Sequence, residues 1–253
     1  GFLPNAFNPD GGKASVGSYL DLLNFKANHR KIVMNESQAL ITSANLTHDG
    51  SSFHSNIGFV VQGGILTDLY ESEKAVAELS SVSLPDATFK RDSTEGELEV
   101  KLITEGKIKD AMLEALNAAN EQSTVKIGVF YISDRDIVKA LKDAAARGAS
   151  IQMILDPNKD AFGIEKNGIP NRQVAAELTK EQNIEVRWYD TNGEQYHSKF
   201  LMVDNESETI LIGGSANFTR RNLADYNLET NLHIKMPATH NVSKEVHTYF
   251  ERL

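Results

Sequence analysis

The chain contains no cysteine. Disulfide bridges and thiolate-bound zinc are therefore excluded. The absence fits an extracytoplasmic bacterial protein, although many cytosolic proteins share it. No run of about 18 apolar residues occurs, so no stretch qualifies as a membrane-spanning helix. Basic residues are outnumbered: 26 Lys and Arg face 35 Asp and Glu, a net charge of -9. That balance opposes non-specific binding to nucleic acid, which needs a basic footprint; only a local patch would permit it. No cluster of His, Cys or carboxylates stands at metal-ligand spacing, so the sequence calls for neither metal nor cofactor. At 253 residues the chain is long enough for one or two domains with a good core.

A polar pattern occurs twice. The first copy is His29-Arg30-Lys31, four residues, Glu36, then Ser43-Ala44-Asn45-Leu46-Thr47. The second is His197-Ser198-Lys199, four residues, Asp204, then Ser215-Ala216-Asn217-Phe218-Thr219. Imidazole, ammonium, carboxylate, hydroxyl and carboxamide follow in the same order. An apolar stretch (57–62 and 231–235) and a helical stretch (65–79 and 240–253) come after each copy. One match to H-x-K-x4-D/E is weak; two, each with S-A-N-x-T downstream, point to one site built from two halves.

This pattern resembles the phospholipase D superfamily, and the Asn28-His29-Arg30-Lys31 stretch resembles its bacterial cardiolipin-synthase and phospholipase D-like members. The resemblance covers most of the chain. It implies an α/β fold of two pseudo-symmetric repeats, mixed sheets flanked by helices, with the active site at the repeat interface. The expected layout is residues 1–80 for the later part of a first repeat, 81–96 for a linker, and 97–253 for a complete second repeat. About 100 residues precede His197 in its repeat, whereas 28 precede His29. By repeat symmetry the first repeat is expected to lack its beginning, to show an exposed edge or apolar face, and to be completed by a missing segment or a partner chain.

Alternation of strand and helix supports the α/β reading. Segments 98–104, 125–131, 151–155, 184–189, 200–203 and 209–212 read as strands, with 31–34 and 39–41 in the first copy. Helices are read at 108–120, 171–181 and from Ser133-Asp134 to a stop at Gly148. Segment 1–17 reads as loop and 19–25 as a short strand.

Along a strand, residues i and i+2 share a side, so each His and its Lys converge on one point. A phosphodiester needs cations for its non-bridging oxygens, a nucleophile, and an acid for the leaving oxygen. His29 and His197 can divide the last two tasks, one forming a phosphohistidine, because imidazole titrates near neutrality. Lys31 and Lys199 supply charge. Ser43, Asn45, Ser215 and Asn217 are read as phosphate hydrogen-bonding groups, with Gly213-Gly214 allowing backbone to approach the ligand. By resemblance Glu36 and Asp204 are supporting acceptors, and Glu229 matches the acid that holds a catalytic histidine. Alignment of the copies sets Asn56 opposite Glu229. The expectation is that Glu229 pairs with His197 and Asn56 with His29. On that pairing His197 is the proton donor and His29 the nucleophile. His48, His54, His233, His240 and His247 are read as structural. Phe130-Tyr131 and Trp188-Tyr189 are read as core or pocket wall.

Three functions compete. The first is a phosphodiesterase or phosphatidyltransferase acting on phospholipids at a membrane surface, in the bacterial membrane or cell envelope. The second is an endonuclease of the same superfamily, disfavoured by the acidic charge. The third is a non-catalytic binder of phosphate or lipid head groups, against which both intact His-Lys pairs argue.

Overall fold

The computed structural model describes residues 27–89, 96–158, 160–161, 164–165 and 167–253. The readings made for 1–17 and 19–25 lie outside these residues, as does part of 81–96. The first motif opens with β1 (Ala27–Asn28), followed by β2 (Ile32–Met34) and β3 (Ala39–Thr42). A short helix α1 (His48–Ser52), strand β4 (Gly58–Val61) and helix α2 (Ile65–Leu79) complete this segment. Strands β2, β3 and β4 form an antiparallel three-stranded sheet. The β2–β3 turn closes because the Asn35 side-chain oxygen accepts from the amides of Ser37 and Gln38.

The larger unit begins with β5 (Glu99–Thr104), α3 (Gly106–Ala118), β6 (Thr124–Val129), α4 (Arg135–Ala146) and β7 (Ser150–Leu155). A small hairpin follows, β8 (Asp160–Ala161) with β9 (Ile164–Glu165), then α5 (Asn171–Leu178) and β10 (Ile184–Trp188). The second motif lies on β11 (Lys199–Asp204) and β12 (Glu208–Gly214). After it come α6 (Arg220–Leu223), β13 (Asn227–Leu228), β14 (Thr230–Pro237) and α7 (Asn241–Glu251). Seven strands form one mixed sheet in the order β10-β7-β6-β11-β12-β14-β5. β10, β7 and β6 run parallel; the remaining neighbours are antiparallel. The order β11-β12-β14 matches β2-β3-β4 in the small sheet. Asp134 caps α4 by accepting from the amides of Asp136 and Ile137, and Gly148, with φ of 97°, follows its end. Among the described residues no helix is long and apolar enough to cross a membrane.

Each face of the large sheet has its own core. On one face Leu201, Val203, Ile127 and Met153 meet Ile108 and Met112 of α3 and Ile137 and Leu141 of α4. On the other, Phe200, Met202, Leu211 and Leu232 meet Ile41 of β3, Leu66 and Leu69 of α2, and Phe250 of α7. Strand alternation thus sends adjacent residues of β11 into different cores. The second core fixes the small sheet to the large one. Burying a side chain such as Ile41 contributes roughly 1.5–3 kcal/mol to that attachment. The outer face of the small sheet is different: Val33 and Val60 are 52% and 66% exposed. Leu201, which follows His197 by the same four residues as Val33 follows His29, is fully buried.

The glycines before Ser215 serve this packing, a correction to the ligand-approach reading. A Cβ at Gly213 would lie 2.7 Å from the Phe59 ring, and one at Gly214 would strike the Thr230 carbonyl. Gly213→Ala is therefore expected to lower stability by about 1–3 kcal/mol through overpacking. Chemical denaturation measures it; an unchanged midpoint would show that Phe59 moves aside freely.

Candidate active site

Two backbone contacts join the motif segments. β1 runs parallel to β13, pairing Ala27 with Asn227 and Asn28 with Leu228, and the His29 amide donates to the Leu228 carbonyl at 2.9 Å. Correspondingly, Ser55 forms a parallel bridge with Tyr196, and the His197 amide donates to the Ser55 carbonyl at 2.8 Å. Each histidine therefore enters beside the acceptor that follows the other motif.

The side chains follow the backbone. His29 Nδ1 lies 3.0 Å from the Glu229 carboxylate, and His197 Nδ1 lies 3.1 Å from Asn56 Oδ1. This reverses the pairing expected from alignment. The reason is strand order. Within the large sheet β12 separates the His197 strand from the Glu229 strand. Two strand spacings are about 9.6 Å, far beyond a hydrogen bond. In the small sheet β3 separates His29 from Asn56 in the same way.

Both acceptors are held tightly. Glu229 is fully buried and accepts from Ser215 Oγ at 2.5 Å, Asn222 Nδ2 at 2.5 Å and Asn227 Nδ2 at 3.4 Å, besides His29. Burial pushes its carboxyl up, but these donors outweigh burial and hold it below the usual carboxylate range. The Asn56 Nδ2 donates to the Gly50 and His54 carbonyls, which turns its Oδ1 toward His197 and Ser43. An oxygen acceptor at each Nδ1 places the proton there and leaves Nε2 for chemistry.

Ser43 and Ser215 differ from the expectation. Ser43 Oγ donates to Asn56 Oδ1 at 3.2 Å, and Ser215 Oγ donates to Glu229. Each hydroxyl has one proton, and it is committed to bracing an acceptor, so neither is left to donate to a phosphate. Of the carboxamides, Asn45 is exposed. Asn217 is buried and its Oδ1 has no partner. Asp204 is a supporting acceptor: Thr209 Oγ1 donates to it and His247 Nε2 of α7 lies 3.0 Å away. Glu36 does not share that role and stands exposed in the β2–β3 turn.

Each lysine folds back on its own histidine. Lys31 Nζ donates to the His29 carbonyl at 2.7 Å, and Lys199 Nζ to the His197 carbonyl at 2.5 Å. Both are buried, and Lys199 also lies 5.3 Å from the Phe130 ring centroid. Burial lowers Lys31 to about 8, partly opposed by Glu229. Burial, then the nearby Lys31 charge, pushes Lys199 well down. His197 is also pushed down, first by burial and then by Lys199, Lys31 and His29. Its expected stabilisation as a cation is overturned, because the carboxylate sits elsewhere. The crossed contacts of His29 with Glu229 and of His197 with Asn56 bring both motifs to one polar locus.

Sequence reasoning missed three participants. His54, read as structural, has its ring 6.1 Å from that of His197 and accepts from the Gln195 amide. Its position two residues before Asn56 was the available signal. Asn222 and Asn227 hold Glu229 and carry no motif. Phe130 is pocket wall, edge-on to His197 at 5.0 Å. The middle residues of the motifs point away and anchor helices. Arg30 reaches Ser72 and Glu73 of α2, and Ser198 Oγ lies 2.8 Å from Tyr249 of α7.

Two imidazoles with fixed tautomers thus stand with two buried lysines where the motif segments meet. Phosphatidylserine synthase from Haemophilus influenzae superposes with a TM-score of 0.64 at 13% identity, over 89% of this chain and 62% of that one. Polyphosphate kinase from Porphyromonas gingivalis superposes at 0.55 with 16% identity, over 88% and 32%. NucT from Helicobacter pylori matches at 0.47 with 22% identity, over 62% and 95%. No curated protein sequence matches the chain. The family model for the cardiolipin synthase, PLD-like domain matches residues 112–253. The chain belongs to that family, within the phospholipase D superfamily.

The Lys31 ammonium predicts a pH dependence. Affinity for a phosphodiester monoanion is expected to fall as pH rises through about 8, by up to roughly tenfold per unit once the charge is lost. Inhibition constants for diethyl phosphate between pH 7 and 9 check it. A flat profile would contradict the assignment, and Lys31→Met should abolish the trend.

Proposed function

We propose that this protein is a phosphodiesterase or phosphatidyltransferase acting on phospholipids through a phosphohistidine. The observation that carries the reading is the crossed pairing: each histidine's Nδ1 is held by an acceptor following the other motif. We further read the chain as two phospholipase D-like repeats about a pseudo-two-fold axis, residues 1–80 and 97–253, with the active site between them. Matching strand orders and mirrored backbone contacts support that reading.

His29 is the nucleophile. Attack of its Nε2 on phosphorus breaks the bond to the leaving alcohol and places positive charge on the ring. Glu229 stabilises that charge where it develops, which accelerates the step. A carboxylate behind the proton donor would oppose the loss of its proton. His197, backed by the neutral Asn56, is therefore the acid that protonates the leaving oxygen. The bound phosphodiester anion, lying among Lys31, Lys199 and His197, restores the proton affinity that burial removes. In the second step His197 takes a proton from water or an acceptor alcohol, which attacks the phosphohistidine and releases His29. The alignment argument also gave attack to His29, but from the opposite pairing; the present ground is charge development.

Two measurements test this. Incubating the protein with mixed phospholipids and with single-stranded DNA, and identifying products by mass spectrometry, tests the substrate class; cleavage of DNA alone would overturn it. Trapping the phosphoenzyme tests the roles: the phosphate is expected on His29, and its appearance on His197 would refute the assignment. Glu229→Gln is expected to lower kcat on the order of 10³-fold or more, as for a carboxylate behind a charge-gaining imidazole.

A further inference from the structure

Two aromatic residues stand at matched places in the two motif segments. Phe53 lies three residues before Asn56, and Tyr226 lies three residues before Glu229. Both are exposed over at least half their surface: Phe53 is 62% exposed and Tyr226 50%. Their neighbours in sequence are fixed at the site. His54 has its ring beside His197, and Asn227 contacts Glu229. Leu46, directly after Asn45 in the first motif segment, is 64% exposed. Exposed apolar side chains scattered singly need no explanation; these three are set apart because each lies one to three residues from a polar residue of the two motif segments.

The Tyr226 side carries charge. Arg220 lies 5.9 Å from the Tyr226 ring, and Arg220 and Arg221 are both exposed. Arg221 donates to the Asn227 side chain, and among the described residues neither arginine has a carboxylate partner. The intervening Asp225 is engaged by the Gly106 amide. Cations beside amphipathic rings suit the head-group level of an anionic bilayer, where rings insert and guanidinium groups meet phosphate.

We propose that Phe53, Leu46 and Tyr226, with Arg220 and Arg221, form an interfacial rim that seats the active site on an anionic phospholipid surface. The inference rests on the phosphodiesterase reading and specifies how its substrate is reached. The rim brings the site down onto head groups in the plane of the bilayer. A diester free in solution needs no such contact.

The test compares wild type with the Phe53→Ser/Tyr226→Ser double variant and with Arg220→Gln/Arg221→Gln. Binding to vesicles of phosphatidylcholine and phosphatidylglycerol in equal amounts is measured by sedimentation, and hydrolysis of bis-p-nitrophenyl phosphate reports the chemistry. The aromatic double variant is expected to bind vesicles on the order of 100-fold more weakly, about tenfold per ring withdrawn from the interface, with hydrolysis of the soluble diester unchanged. The arginine variant should lose its preference for anionic over pure phosphatidylcholine vesicles. Unchanged vesicle binding by the aromatic variant overturns the proposal. So does a loss confined to single-stranded oligonucleotide binding, which would assign the rings to base stacking. Wild type that binds vesicles but hydrolyses no diester would instead count against the parent reading, leaving the rim intact.

Discussion

The site depends on one backbone register. β1 lies parallel to β13, and the Ser55–Tyr196 bridge repeats the arrangement for the second motif. A slip of one residue in either contact would turn an imidazole away from its acceptor, because side chains alternate along extended backbone. Glu229 would then be a buried carboxylate with one donor fewer. Removing a partner from a buried charge costs several kcal/mol. The second core makes a slip harder, since Ile41, Leu66 and Leu69 hold the small sheet against Phe200 and Leu211.

That register also collects like charges. Lys31, Lys199 and two imidazoles share a locus in which two carboxylates, Glu229 and Asp156, act on the lysines. Burial first, and like charge second for Lys199 and His197, lowers the proton affinity of Lys31, Lys199 and His197. On the proposed function an incoming phosphodiester reverses the balance, because an anion favours the protonated forms of the groups around it. On that reading anion binding and proton uptake are coupled. The two halves remain unequal, since a carboxylate stands behind one ring and a carboxamide behind the other. On the proposed mechanism, that inequality is what gives two identical side chains different roles.

Much of the fold was legible from local pattern. The helix at Ile65–Leu79 and the strands flanking both motifs were readable from periodicity and breakers, and Asp134 and Gly148 marked the ends of their helix. The short pieces β1, β13, α1 and α6 were not. They are two to five residues long, too short for any period, and β1 and β13 exist because each finds the other. Asn222 and Asn227 were invisible for a related reason: nothing in a polar loop announces which carboxylate it will meet.

The sequence by itself determined the chemical inventory: two His-Lys pairs, one Glu229 against one Asn56, and no thiol. Those identities needed no coordinates, since residue type and spacing are local. Only the tertiary structure decided who partners whom. Alignment equates positions in two copies, but it carries no information on which copy faces which. The intervening strands β12 and β3 put each acceptor two strand spacings from its own histidine, and the parallel contact between segments brings it to about 3 Å from the other.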